Sequence, residues 1–85
     1  MSSNIERFIY AIAEMRYEEA RKNPQDEPRF MMSLVTEEIE RGLIEATLAY
    51  TGFHLNNTAE VLGISPATLR SKIKKYDIYV LDFSS

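Results

Sequence analysis

Arg70, Lys72, Lys74 and Lys75 stand within six residues near the end of this 85-residue chain, interleaved with Leu69, Ile73 and Tyr76. At helical spacing Leu69, Ile73 and Tyr76 recur at i, i+4 and i+7, so they share one side and face a core. Ala67, Ser71 and Lys74 then stand opposite, with Arg70 on one shoulder and Thr68 and Lys75 on the other. A cationic front of small residues on an apolar back suits the electrostatic capture of phosphate. The bland counterpart is a helical hairpin with a solvated lysine face. Hairpins of this kind also serve purely structural roles, and spacing alone leaves both readings open.

Other chemistry finds little support. The chain has no cysteine, which excludes a disulfide framework, a thiolate metal site and a thiol nucleophile. Its single histidine, His54, builds no catalytic or metal cluster alone and reads as a surface or capping residue. The carboxylates are abundant, but their helical positions favour a solvated face, with no partner nucleophile, glycine-rich phosphate loop or metal-ligand spacing. The expectation is a protein that is not an enzyme and needs no metal or cofactor. No apolar run approaches the length of a membrane span, and Met1-Ser2-Ser3-Asn4 lacks the basic and apolar regions of a secretory signal, so a cytoplasmic chain is expected.

The net charge of −3 and pI near 5.1 argue at first sight against a nucleic-acid ligand. Distribution changes that. Residues 1–63 hold six cations against eleven acids, whereas residues 64–85 hold four cations against two. Screening at physiological salt acts over roughly 8 Å, so a basic end on an acidic body still attracts phosphate, though more weakly than a wholly basic protein.

A helix-turn-helix over residues 55–76 must position these cations. Gly63 takes the positive φ that stops one helix, and Ile64 plugs the corner. Ser65 caps the next helix, and Pro66 occupies its first position, where a missing N–H costs nothing. In the first of the two helices Ala59 allows close approach, while Val61 and Leu62 face inward.

Upstream, Ile5, Phe8, Ile9, Ile12 and Met15 mark one face of a helix over 4–21, with Asn4 as its cap. Asn23-Pro24 and Glu27-Pro28 make Lys22 to Arg29 a polar loop. Phe30, Met31 and Met32 read as packing residues, with a flexible partner surface as the lesser reading. A second long helix is expected over 34–52, with Glu37, Glu38 and Glu40 at its positive end and Gly52 as its stop. Gly42 weakens it by roughly 1 kcal/mol relative to Ala and allows a bend or a close crossing.

This helix carries two apolar stripes. Val35, Ile39, Leu43, Ala46 and Tyr50 form one; Leu34, Ile44 and Leu48 lie on nearly the opposite side. A chain this short covers only part of that surface by itself. A second copy is therefore expected to cover the rest, in a two-fold dimer built from the first two helices. Its interface is assigned to Ile5, Phe8, Ile9, Ile12, Val35, Ile39, Leu43, Ile44 and Leu48. The tail over 77–85 is rich in strand formers, and packing on the body, pairing with another chain and a site for a protein partner all stay open.

Glu37 to Ile78, about half of the chain, resembles the Fis family of bacterial nucleoid proteins and the Fis-type DNA-binding domain of nitrogen-regulation activators. The resemblance is carried by Leu48-Ala49-Tyr50-Thr51, by Asn57 to Ser65, and by Thr68 to Tyr76. It implies one all-α domain over 1–85, with two long helices forming an intertwined dimer core and the last two helices forming the reader. It also implies a homodimer that binds double-stranded DNA and acts as a transcriptional regulator or nucleoid-associated factor. On this account the second reader helix enters the major groove, sequence specificity is low, and the DNA is bent.

By position, Thr68, Lys72, Lys74 and Lys75 correspond to phosphate contacts, and Arg70 to a base-edge or phosphate contact. Asn56, Asn57, Ser65 and Ser71 complete the expected DNA-facing set. Asn57, Pro66 and Ser71 stand where the family often has basic side chains, so affinity and its salt dependence should both be lower. Gly42 replaces a common proline. There is no room ahead of Ile5 for the mobile hairpin by which the nucleoid protein acts on recombinases, so that activity is not expected. The alternative is an acidic dimeric interaction module that modulates another regulator through its body or the Tyr79 to Phe83 tail.

Overall fold

The computed structural model describes residues 3–80. Among them are four α-helices and no strand: α1 (Asn4–Lys22), α2 (Met31–Thr51), α3 (Leu55–Leu62) and α4 (Pro66–Lys75), with a 3-10 turn over Pro24–Asp26. The chain divides into two compact units, Met1–Met32 and Ser33–Ser85.

In the first unit Ser3, not Asn4, caps α1. Its backbone is extended at ψ 164°, which frees the hydroxyl to accept from the Glu6 amide at 3.0 Å, and Asn4 becomes the first helical residue. The helix ends because Asn23 precedes Pro24, which forces it from the α region, here to φ −127°, ψ 92°. No residue of α1 is buried. Phe8 is 68% exposed, Ile5 and Met15 are likewise open, and Ile9 and Ile12 are half-buried. Phe30 and Met32 are also exposed, contrary to a packing role. Phe30 turns the backbone through a left-handed φ of 54°, and α2 starts directly after it, three residues before Leu34. Glu37 and Glu40 therefore lie beyond the first turn, where the helix dipole has faded.

The second unit is built on a core of Ile44, Leu48, Ala59, Leu69, Tyr76 and Ile78, against which Phe53, Leu55, Leu62, Ile64, Ile73 and Val80 pack. Ile44 and Leu48 are 3% and 1% exposed within the single chain. Covered by the chain's own helix-turn-helix core, they have no surface to offer a second copy, which corrects their assignment to a dimer interface. Ile39, Leu43 and Tyr50, from the other stripe, are exposed, and Val35 is half-buried. Among the described residues a Cβ on Gly42 would meet nothing within 4 Å.

Two threonines tie α2 to α3. The His54 amide donates to Thr51 Oγ1 at 3.3 Å, Thr58 Oγ1 donates to the His54 carbonyl at 2.8 Å, and the two hydroxyls meet at 2.6 Å. With its own proton on that carbonyl, Thr58 accepts from Thr51, so the fully buried hydroxyl is satisfied.

Gly63 sits at φ 75°, ψ 32°, and the Ile64 amide reaches back to the Ala59 carbonyl at 3.0 Å. Nothing lies within 4 Å of a Cβ built there, so the glycine is required by the backbone angle and not by lack of space. Val61 is exposed while Leu62 packs inward, so of the two only Leu62 faces the core.

α4 stops in the same manner. Asp77 takes φ 53°, and the Ile78 amide bonds the Ile73 carbonyl at 3.0 Å, which returns Ile78 to the core. Of the tail, Ile78 is buried, Val80 packs on the core and Tyr79 is exposed; Leu81, Asp82 and Phe83 lie outside the described residues.

Candidate nucleic-acid interface

α4 owes its start to Ser65, whose Oγ accepts from the Thr68 amide at 3.1 Å and donates to Thr68 Oγ1 at 2.9 Å. Pro66 follows at the first helical position, so the helix is pinned before its cations begin. Leu69, fully buried, holds the inner side. The outer side is left open: Ala67, Thr68, Arg70, Ser71, Lys74 and Lys75 are exposed, as are Asn56 and Asn57 in the first turn of α3. Ala67, Thr68, Ser71, Lys72 and Lys75 line a shallow groove along α4.

The four cations of α4 have different surroundings. Arg70 and Lys74, one turn apart, make no ion pair among the described residues and share a face. Lys72 is half-buried and places its ammonium 2.9 Å from Glu40 Oε1 of α2. The same oxygen accepts from the Tyr76 hydroxyl at 2.5 Å. Lys75 is 4.0 Å from Glu37 Oε2 and lies 5.2 Å from the centre of the Tyr76 ring, with the Arg41 guanidinium 5.7 Å from the same ring.

This cluster shifts its members in opposite directions. The hydrogen bond from Tyr76, followed by that from Lys72, holds the Glu40 carboxyl below its ordinary 4.5. Donation to Glu40, reinforced by burial, pushes the Tyr76 hydroxyl up to about 12. Both groups therefore keep their roles across the neutral range, Glu40 as charged acceptor and Tyr76 as neutral donor.

The expected DNA-facing set is thus gathered on α4, its cap and the start of α3. The Ser65 hydroxyl is spent on the cap, and the Lys72 ammonium is turned toward α2. Glu40, Glu37 and the Tyr76 hydroxyl are neighbours of these cations; the sequence pattern places the two carboxylates at the start of the long helix and the Tyr76 ring on the core side, without bringing them together. Helical periodicity places Glu37 and Glu40 on the stripe of α2 that leads to Ile44 and Leu48, but it does not pair them with α4. Among the described residues no three histidines, cysteines, aspartates or glutamates come together to hold a metal, and no helix is long and apolar enough to cross a membrane.

Residues 36–76 match the family model described as "Bacterial regulatory protein, Fis family". The chain is 40% identical over 57 residues to the DNA-binding protein Fis of Psychromonas ingrahamii, an overlap of 67% of this chain and 57% of that protein. It is 37% identical over 51 residues to the DNA-binding protein Fis of Mannheimia haemolytica, covering 60% of this chain and 52% of the relative. The protein of the same name from Proteus mirabilis is 37% identical over 46 residues, covering 54% and 47%. This chain spans about half the length of the curated relatives it matches. No solved structure matches it. Over residues 36–76, which hold most of α2, α3, the turn at Gly63 and α4, the chain belongs to the Fis family of bacterial regulatory proteins.

Proposed function

We propose that this protein binds double-stranded DNA as a homodimer, laying α4 in the major groove, and acts as a transcriptional regulator or nucleoid-associated factor. The observation that carries this reading is the open outer side of α4, where Arg70 and Lys74 stand one turn apart, without an ion pair among the described residues, beside the small residues Ala67 and Ser71. Small side chains let the helix approach the groove floor, and the two cations meet phosphates or a guanine edge.

Ala67 and Ser71 offer little unique hydrogen bonding to bases, so Arg70 carries what direct readout there is, and sequence-dependent shape and bending carry the rest. Pairing uses the apolar faces that the single chain leaves open, Ile5 and Phe8 on α1 and Ile39 and Leu43 on α2. Two-fold symmetry then sets two half-sites about 34 Å apart. The relatives named DNA-binding protein Fis support the DNA-binding part of this reading.

The double variant Arg70→Ala, Lys74→Ala tests it. Loss of the mobility shift of a duplex at low salt, with the helical circular dichroism signal unchanged, is the expected result. Retained binding in that variant moves the site elsewhere. The acid surplus over residues 1–63 favours a second reading, an acidic interaction module acting on another regulator. That reading requires the unmodified protein to give no shift even at low salt.

A further inference from the structure

The geometry points to Lys72 as a positioning residue: its ammonium braces α4 against α2 through Glu40 and stays off DNA, which leaves phosphate contact to Arg70, Lys74 and Lys75. Position along the helix is the first reason. Arg70 and Lys74 lie two residues to either side of Lys72, and residues two apart on a helix do not share a face. Lys72 instead shares its side with Tyr76, one turn on, and the two converge on a single Glu40 oxygen at 2.9 and 2.5 Å.

Exposure is the second. The side chains of Lys72 and Glu40 are 29% and 33% exposed, whereas those of Lys75 and Glu37 are 60% and 51% exposed and 4.0 Å apart. A half-buried, charge-assisted hydrogen bond with a shared acceptor resists exchange for a phosphate. An exposed pair at the longer distance is screened and yields readily. The carboxylates of α2 thus sort the cations of α4: Glu40 retains Lys72, and Glu37 releases Lys75.

The brace stands on the folded chain alone; only the sorting of cations toward DNA rests on the DNA-binding reading. Lys72→Met keeps the apolar stem and removes the charge, and Lys74→Met does the same on the outer face. At fixed chain concentration Lys72→Met is expected to lower the thermal midpoint by roughly 4 °C or more. Lys72→Arg restores it, and most of the drop disappears in a Glu40→Gln background. In duplex binding, Lys72→Met leaves the slope of log K against log salt unchanged, while Lys74→Met reduces it by about 0.9 for each phosphate left without its cation.

The proposal is overturned if Lys72→Met leaves the midpoint unmoved, if its cost is the same with Glu40 and without it, or if it cuts the salt slope as Lys74→Met does. Should the unmodified protein show no salt-dependent duplex binding, the DNA reading falls by itself. The Glu40 and Lys72 midpoints then decide the brace.

Discussion

α1 and the helix-turn-helix carry comparable apolar patterns and have opposite fates in the single chain. In the second unit every inward position of α4 finds a neighbour, and Leu69 is fully buried. In the first unit α1 has no buried residue, and Phe8 and Met15 are more than two-thirds exposed. Periodicity announces that a face will be covered without saying by what. The helix-turn-helix finds its cover on α2 of the same chain, where Ile44 and Leu48 join Ala59, Leu69, Tyr76 and Ile78 in one core. α1 leaves its apolar face open in the single chain, and a monomer rarely keeps a contiguous apolar face of this kind exposed.

The sharpest way to break this contrast is to truncate one apolar side chain in each region. Leu69→Ala cuts back a fully buried side chain at the centre of the second unit. A loss of about 2 to 5 kcal/mol is expected, with the helical signal melting far earlier in urea and duplex binding lost with it. A cost below about 1 kcal/mol would mean that the core does not depend on α4.

Phe8→Ala probes the other side. If a second copy covers α1, each chain loses about 1.5 to 3 kcal/mol of apolar burial, and sedimentation shows the dimer dissociating at concentrations where the unmodified protein stays paired. If α1 stays uncovered, the same substitution at a 68% exposed position changes neither mass nor midpoint.

The contrast also explains which features the sequence alone could disclose. Ser65, Pro66 and Gly63 act on their own backbone, so the start of α4 and the corner before it are legible residue by residue. The stripe of Ile44 and Leu48 is legible as apolar, but its partner is not. Assigning it to a second chain underestimates how much of α2 a short hairpin covers, since α3, α4 and the returning Ile78 and Val80 together enclose it. The start of α2 at Met31 depends on a left-handed Phe30, a conformation no residue type there announces. The Glu40 cluster joins positions 32 and 36 residues apart, and local periodicity carries no information about such pairs. For the same reason Lys72 looks equivalent to its neighbours in sequence, although its environment sets it apart from Lys74.

Tyr76 joins the two kinds of information, because its ring belongs to the core pattern and its hydroxyl to the long-range cluster. The smallest expected effect is therefore the most specific. A tyrosine held at about 12 in the folded chain and near 10 when unfolded contributes stability that is complete below pH 10 and is lost as pH rises through 12. Glu40 behaves in the opposite sense: its lowered value contributes stability above 4.5 that is lost as acid protonates the folded carboxyl. Tyr76→Phe keeps the ring and removes the donor that both shifts depend on. The variant's urea midpoint should lie furthest below that of the unmodified protein between about pH 4.5 and 10, with the gap narrowing as the pH falls below that window or rises toward 12. Parallel curves across the whole range would show that the hydroxyl is a bystander and that the aromatic ring alone holds the end of α4.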